Sequence, residues 1–332
     1  MVSQPPEPLK GGLREIFIMR SLSYRFWKHL DKKDCASIFI CKIHKFLSER
    51  LLKNGKIDFY YPLSLKKTYK PNIPDILMSY KKYFSLQVFK DRMETLVIGS
   101  SHGHHGYRAQ ENLYEINACE TSQDLYYSYE LYKKYSDAAR LKNIVLFYSV
   151  FSPGHILELT ERNRCDSYKF IYGIPYRFLG ICEKKGLKEA FSVLIERMKN
   201  HPDFHYVGNL PDNISDMPPL FTDAERRAKD HLKSNKRNEN QTVYVEKAIK
   251  LSCERGHRLY IVIPPARSDY RNCLPPFEEL FAELLKLKNQ VKILSFFEDE
   301  HFSDSDFWDT DHLNKQGSMK LTAFIRDMMD QD

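Results

Sequence analysis

The sequence predicts an α/β protein whose parallel sheet is covered by helices on both faces. Short, continuous apolar runs at 93–99, 143–150 and 258–264 are typical of strands that are buried on both faces. Segments with helical spacing of apolar residues lie between these runs, and strands that alternate with helices favour a parallel sheet. In such a sheet, the binding crevice lies beyond the carboxyl ends of the strands.

The predicted elements follow from apolar periodicity and from turn and cap residues. Thr121 and Asp124 occupy the first and last positions of a capping-box-like start, with Asp in place of the usual Glu or Gln. In chain order we expect helix over 12–54, strands at 93–99 and 113–117, a helix from 121–124 to about 136, a strand at 143–150, helix over 223–254 with a break near 238–240, a strand at 258–264, a helix at 277–288, a strand at 291–297 and a closing helix at 315–329.

Three regions are expected along the chain. Residues 1–90 read as a basic, mostly helical N-terminal extension, and 91–332 as the α/β domain. Within that domain, 152–217 contains several prolines and lacks regular periodicity, so it is predicted to be an insertion over one edge of the sheet. Four aromatic residues of this insertion could shape an acceptor groove or simply cover that edge: Tyr168, Tyr172, Tyr176 and Phe178.

Positive charge is concentrated in the extension. Residues 1–90 carry 18 Lys and Arg against 7 Asp and Glu, a net charge of +11, so the other 242 residues carry 7 − 11 = −4. A basic, aromatic surface can meet nucleic acid, anionic lipid, an acidic glycan or a phosphorylated donor. Because no nucleic-acid fold signature accompanies it, a solvated helical face is favoured and no nucleic-acid partner is expected, while peripheral membrane contact stays open.

Composition narrows the class of protein. With 332 residues and 42% hydrophobic content, the chain can bury a substantial core. Its seven cysteines are scattered and form no C-x-x-C pair, which argues against a zinc ribbon or a disulfide framework and fits a reducing compartment. The N-terminus lacks a secretion-signal pattern and no apolar run could span a bilayer, so we expect a cytoplasmic protein. Peripheral contact with a bacterial inner membrane through the basic extension stays open.

Two motifs near opposite ends of the chain carry the chemistry. The segment 95–102 (TLVIGSSH) takes Ser101 from a strand to a helix start, and 309–314 (DTDHLN) places Asp309 three residues before His312. At that spacing a tight turn can bring the carboxylate to Nδ1, so that Nε2 faces a serine. Each motif alone is typical of a helix cap. Together, at compatible places in one α/β pattern, they predict a nucleophile, a base and an orienting acid.

These motifs, with His-Leu-Asn-x-x-Gly at 312–317, resemble the SGNH/GDSL hydrolase superfamily. More narrowly, they look like its bacterial branch with Gly-Ser-Ser-His at the nucleophile, whose members include acyl-modifying proteins of cell-surface polysaccharides. The likeness covers about 93–330 without the insertion. It implies a flavodoxin-like, three-layer α/β/α fold with Ser101 as nucleophile, His312 as base and Asp309 as its partner.

The sequence departs from the family pattern where oxyanion donors are expected. In the family pattern, the second sequence block usually offers a glycine N–H, whereas the corresponding segment 117–120 (NACE) has no glycine. The third sequence block usually offers an asparagine side chain, whereas 148–154 (YSVFSPG) contains no asparagine. The Ser101 N–H remains as one donor. The candidates for further oxyanion or substrate contacts are Ser100, His102, Asn117, Ser149 and Ser152.

Two features near Ser101 resemble functional groups, a metal site and a second nucleophile, but neither of these roles is expected. His102, His104 and His105 suggest a metal site, but no carboxylate or cysteine stands at ligand spacing, so no metal and no bound cofactor are expected. Cys119 lies near the predicted site, but a buried structural cysteine is commoner than a nucleophile.

The resulting hypothesis is serine-dependent acyl transfer through an acyl-Ser101 intermediate. Guided by the resemblance, we expect an O-acetyltransferase that modifies a bacterial surface polysaccharide or glycoconjugate. Acetyl-CoA is the candidate acyl donor, and Lys66, Lys67 and Lys70 could receive its phosphates. A carbohydrate esterase or deacetylase of the same fold, and a non-catalytic glycan-binding or assembly protein with a relic triad, remain as alternatives.

Overall fold

The computed structural model describes residues 73–177, 187–198, 207–209, 218–237 and 240–331. All of them lie in one compact unit, Pro62–Asp332. The predicted helix over 12–54 and the lysines at 66, 67 and 70 lie outside the described residues. The boundaries of the extension and of the insertion stay predictions.

The described strands form one parallel sheet in the order β2-β1-β3-β4-β5. Val97 of β1 is in register with Asn117 of β2 on one side and with Val145 of β3 on the other. This order is the one found in flavodoxin-like folds, and the predicted α/β class is confirmed. The strands are β1 (Thr95–Ile98), β2 (Glu115–Asn117), β3 (Asn143–Phe147), β4 (Arg258–Ile263) and β5 (Lys292–Ser295).

The helices connect these strands and close the chain. Short 3₁₀ turns at Glu111–Leu113 and Asp304–Asp306 and a π turn at Tyr168–Tyr172 add to them. No helix in the described ranges is long and apolar enough to cross a bilayer. The helices are α1 (Ile73–Phe89), α2 (Ser101–Gly106), α3 (Leu125–Tyr135), α4 (Leu157–Thr160), α5 (Arg162–Ser167), α6 (Leu187–Met198), α7 (Ala224–Arg237), α8 (Val243–Arg255), α9 (Ser268–Arg271), α10 (Phe277–Leu280), α11 (Ala282–Leu285) and α12 (Lys315–Asp330).

Helices lie on both faces of the sheet. The connection from β1 to β2 runs in one direction along the sheet, and those from β2 to β3 and from β3 to β4 run in the other. Since parallel crossovers are right-handed, α2 lies on one face and α3 and α8 on the opposite face. The contacts agree, because α2 packs against α12 while α3 packs against α8.

The central strands are apolar because neither face of the sheet meets water. Leu96, Val97 and Ile98 of β1 are fully buried. Gly99 then turns the chain into α2 with φ of +136°, a conformation that favours glycine. A Cβ there would also approach the Cβ of Phe147 to 2.8 Å, so β1 and β3 are close at the edge that carries Ser101.

Two predicted helix boundaries are corrected by the structure. Asp124, not Thr121, caps α3: its carboxylate accepts hydrogen bonds from Tyr127 N (2.9 Å) and from Leu157 N (2.9 Å). The helix predicted at 277–288 divides into α10 and α11, because Phe281 leaves helical geometry (φ −109°, ψ 16°) while its ring packs into the core.

The described parts of the predicted insertion pack on the sheet domain. Tyr168 and Tyr172 are buried, and their hydroxyls donate to Gln123 Oε1 and Glu120 Oε1 (both 2.9 Å), so these rings are core rather than groove. Val207 O accepts from Asn117 N (2.9 Å) at the outer side of β2. This contact satisfies a donor of the edge strand.

Candidate active site

Ser101 is placed by the tight junction between β1 and α2. Ser100 is the N-cap with extended backbone, and Ser101 is the first helical residue. At Gly103 an added Cβ would overlap the Cys119 sulfur and the Phe147 ring, so α2 lies closely against the sheet. The first N–H groups of a helix have no acceptor within it, so the Ser101 N–H can serve another acceptor.

The turn that carries His312 is closed at its base and followed at once by a helix cap. Phe307 and Leu313 form an antiparallel bridge, and Trp308 N donates to His312 O (2.8 Å). Asn314 Oδ1 then accepts from Gly317 N (3.0 Å) and so caps α12. A Cβ at Gly317 would collide with Asp306 O. The His-Leu-Asn-x-x-Gly pattern is therefore explained by cap geometry and close packing around His312.

The structure brings Ser101, His312 and Asp309 into one hydrogen-bonded chain. His312 Nε2 lies 2.9 Å from Ser101 Oγ, and His312 Nδ1 lies 2.8 Å from Asp309 Oδ2. A carboxylate can only accept, so Nδ1 carries the proton and Nε2 is left to accept the Ser101 hydroxyl proton. All three residues are at least 95% buried. This is the arrangement needed to activate a serine.

The Asp309 carboxylate is fixed by the backbone of its own turn. Its Oδ1 accepts hydrogen bonds from His312 N (2.7 Å) and from Asp311 N (3.0 Å). These two N–H groups orient the carboxylate toward the imidazole. The tight turn inferred from the three-residue spacing is therefore present.

A second imidazole and carboxylate lie beside the first pair. His102 Nε2 is 3.0 Å from Asp311 Oδ2, and His102 Nδ1 is 3.3 Å from Ser100 Oγ. The rings of His102 and His312 stack with centroids 4.9 Å apart. Burial lowers the pKa of His102, although Asp311 opposes this shift, so the ring is neutral at pH 7 with its proton on Nε2.

Arg227 of α7 completes this second arrangement. Its Nε and Nη2 donate to the two oxygens of Asp311 at 3.1 and 3.2 Å. The guanidinium also lies 3.8 Å from the ring centroid of Phe221, whose own ring centroid is 6.3 Å from that of His312. No spacing in the sequence links Arg227 to position 311, so sequence reasoning missed Arg227 and gave no role to Asp311, the neighbour of His312.

His105 lies on the other side of His312. Their ring centroids are 4.7 Å apart, and His105 stacks on Trp308 with centroids 5.2 Å apart. Burial holds the pKa of His105 well below its usual value, so this imidazole is neutral. Aromatic rings therefore enclose His312 on several sides, which restricts water near the base.

Asn117 is not available as an oxyanion donor. Its Nδ2 donates to Gly103 O (2.9 Å) and Tyr107 O (2.8 Å), which uses both amide hydrogens at the end of α2. Its Oδ1 accepts from Cys119 N (3.0 Å). The amide thus ties β2 to α2, and the candidate role given to Asn117 on sequence is corrected.

The backbone after β2 is also committed. Ala118 N donates to Val97 O (2.8 Å), and Glu120 N donates to Gly99 O (3.2 Å). With Cys119 N bound to Asn117, none of these three donors is directed at Ser101. The glycine that the family pattern expects here therefore has no N–H substitute in the segment 117–120.

Ser149 and Ser152 follow β3 and bind each other. Ser149 N donates to Ser152 Oγ (2.9 Å), and the two hydroxyl oxygens are 3.2 Å apart. Ser149 lines a small cavity of about 10 Å³ together with His102 and Asp311, roughly the space of one water molecule. The structure thus places Ser149 on the same small cavity as the second imidazole and carboxylate.

A buried lysine of α1 contacts α2 and the segment that follows β2. Lys82 of α1 donates to Cys119 O, and its Nζ is 2.9 Å from His104 Nδ1. Burial lowers the pKa of Lys82 to about 8. Burial also raises the pKa of the Cys119 thiol far above its usual value, which fits the structural role expected for this cysteine.

Three residues lie close enough together to hold a metal ion, because the ligand atoms of His102, Asp311 and His312 are within 4.8 Å of one another. The sequence has no carboxylate at ligand spacing from these histidines, but the fold brings Asp311 to His102 from a distant part of the chain. The donors are already committed, however, because Arg227 binds the carboxylate and Asp309 binds His312 Nδ1. The arrangement fits a hydrogen-bonded network better than an ion, and the absence of metal stays a prediction.

Comparison with known proteins adds little to this geometry. No protein-family model matches the chain, and no curated protein matches it. A solved structure of a protein assigned to the G-D-S-L family of lipolytic proteins, from Desulfitobacterium hafniense DCB-2, is 12% identical, with 70% of this chain and 98% of that chain covered and a TM-score of 0.30. A likeness at this TM-score carries no inference. The α/β class rests on the sheet itself, and the site on its distances.

Proposed function

We propose that this protein is a serine-dependent acyl-transfer enzyme of the SGNH/GDSL type, with Ser101 as nucleophile, His312 as base and Asp309 as the acid that orients it. One observation carries the proposal: Ser101 Oγ is 2.9 Å from His312 Nε2, while Nδ1 of the same ring binds Asp309. The site lies at the carboxyl edge of a parallel sheet next to β1, where the strand order reverses, which is the usual place for a site in this architecture.

The geometry supports a two-step reaction. In the first step Ser101 Oγ attacks the carbonyl carbon of an ester or thioester, and His312 Nε2 takes the hydroxyl proton. The tetrahedral intermediate then expels the leaving group, which receives that proton, and leaves acyl-Ser101. In the second step His312 Nε2 takes the proton of an acceptor hydroxyl or water, whose oxygen attacks the acyl carbon. Ser101 Oγ is then expelled and receives that proton from His312, which restores the serine.

The oxyanion donors are the weakest part of the site. The Ser101 N–H is in place, whereas Asn117 and the N–H groups of 118–120 are bound within the fold. Loss of one donor costs about 10²- to 10³-fold in rate. We therefore expect slow turnover with simple ester substrates.

The acceptor is proposed to be a sugar hydroxyl of a bacterial surface polysaccharide, with acetyl-CoA as the donor. The resemblance to the Gly-Ser-Ser-His branch supports this choice. Ser101 and His312 are buried, so water and a sugar hydroxyl alike must enter a confined site to reach the acyl enzyme. Hydrolysis by a carbohydrate esterase would use the same residues, so the ratio of transfer to hydrolysis with added glycan acceptors separates the two activities.

The decisive experiment is covalent labelling. The full-length chain is treated with a fluorophosphonate, and intact mass is measured for the wild type, Ser101→Ala and Ser100→Ala. A single adduct on the wild type and on Ser100→Ala, and none on Ser101→Ala, supports catalysis. Absence of an adduct on the folded wild type would support a non-catalytic glycan-binding or assembly protein.

A further inference from the structure

His312 has a second carboxylate close to it. Asp311 Oδ1 lies 3.8 Å from His312 Nδ1, and the Asp311 side chain is 1% exposed. Asp311 makes no use of the backbone N–H groups that hold Asp309; it is held instead by Arg227 and His102. At this distance, and away from solvent, the charge of one group strongly affects the other.

We propose that Asp311 is a second counter-charge for the imidazolium that His312 forms during acyl transfer, and that Arg227 and His102 are positioning residues that hold its carboxylate in place. This inference rests on the proposed function, because proton transfer from Ser101 is what makes His312 cationic. Asp309 fixes the tautomer through a hydrogen bond. Asp311 acts through its charge across 3.8 Å.

Asp311 is an anion at neutral pH in spite of its burial. Burial alone would raise its pKa, but the neighbouring His312, the hydrogen bond from His102 and the charge of Arg227 together hold the pKa well below its usual value. Thr310 Oγ1 donates a further hydrogen bond to Oδ1 (3.1 Å). The carboxylate is thus satisfied on several sides, as a buried charge must be.

Three fixed charges lie around His312, namely Asp309, Asp311 and Arg227. Asp309 and Asp311 come from its own turn, His102, His104 and His105 from α2, and Arg227 and His231 from α7. The pKa of each of these four other histidines is lowered, chiefly by burial, so they are neutral at pH 7. Two carboxylates therefore face the imidazolium, and Arg227 offsets part of the charge of the second.

Because Arg227 offsets the charge of Asp311, replacing one or the other should shift the pH dependence of the rate in opposite directions. Asp311→Asn removes a negative charge and disfavours the imidazolium, so the acidic limb of the rate profile moves to lower pH, by about one unit. Arg227→Gln leaves Asp311 less balanced, so the limb moves to higher pH. Arg227→Lys keeps the charge and should return the limb close to the wild-type position. Damage to packing would lower the rate without this pattern of signs.

The test is the pH dependence of fluorophosphonate labelling of Ser101 in the full-length chain. Wild type, Asp311→Asn, Arg227→Gln and Arg227→Lys are compared with Asp304→Asn, which makes the same charge change at an exposed position and should leave the limb unmoved. The inference would be overturned if the acidic limb of the labelling profile stays in place for both Asp311→Asn and Arg227→Gln, or if it moves in the same direction for both.

A second measurement needs no turnover. In a Ser101→Ala background, the NMR titration of the His312 imidazole is followed in histidine-labelled protein and assigned with His312→Gln. The titration midpoint should fall with Asp311→Asn and rise with Arg227→Gln. If wild type is never labelled but these midpoints move, the proposed function fails and the electrostatic coupling stands. If labelling occurs and the midpoints do not move, only the role of Asp311 fails.

Discussion

Two imidazole–carboxylate pairs lie side by side at the carboxyl edge of the sheet, and they differ in how they are held. His312 and Asp309 are three residues apart, and backbone N–H groups of one turn fix the carboxylate. His102 and Asp311 are 209 residues apart, and Arg227 fixes the carboxylate. Each imidazole faces its own serine. Under the proposed function, the first pair would transfer a proton and the second would hold a counter-charge beside it.

The largest expected effect distinguishes the two serines. Ser101→Ala should lower the rate of acyl transfer by about 10⁶-fold, because it removes the attacking oxygen. Ser100→Ala removes a hydroxyl that is 3.3 Å from His102 Nδ1, and should lower the rate by less than about tenfold. The rates are measured with an activated acetyl ester. Equal losses in the two variants would show that the two pairs act as one unit.

The next effect distinguishes the two carboxylates. Asp309→Asn replaces the acceptor for His312 Nδ1–H and allows the wrong tautomer, so the rate at the pH optimum should fall by about 10⁴-fold. Asp311→Asn leaves that hydrogen bond intact, and we expect a loss of about tenfold or less.

Asp304→Asn is the control for the carboxylate comparison, because Asp304 is exposed. A loss for Asp311→Asn as large as that for Asp309→Asn would break the division of labour between the pairs. A loss for Asp304→Asn would point to a general effect of charge instead.

The contrast between the two pairs also shows which parts of the fold and of the site can be predicted from the sequence. The apolar runs of β1, β3 and β4 predict strands because their burial on both faces leaves a continuous signal. The His312–Asp309 pair is local, so its spacing is visible in one turn. Arg227 and Asp311 meet only through the packing of α7, and no periodicity encodes that contact.

Long-range contacts also explain the two corrected predictions, the cap residue of α3 and the role of Asn117. Asp124 and Thr121 both suit a helix cap by type, and the choice depends on Leu157 N, which brings a second donor to Asp124 from a remote helix. Asn117 has the right chemistry for an oxyanion donor, but its amide is used by the carbonyls at the end of α2. In both cases long-range partners decide among residues that are locally equivalent.

His104 is a third imidazole of α2, and it contacts the ammonium group of Lys82 rather than a carboxylate. Lys82 is fully buried, and burial lowers its pKa to about 8 from a usual value of 10.5. The unfolded chain therefore binds more protons than the folded one between about pH 8 and 10.5. Over that window the Lys82 contribution to the free energy of unfolding should rise with pH, by about 3 kcal/mol in total.

This last and smallest effect is measured as a difference between variants, which cancels other titrations. The free energy of unfolding of wild type minus that of Lys82→Met should increase from pH 7 to pH 10.5. The corresponding difference for Lys250→Met should stay nearly flat, because the Lys250 side chain is 81% exposed. A flat difference for Lys82→Met as well would mean that Lys82 is hydrated, and α1 would then not hold His104 through a buried ammonium group.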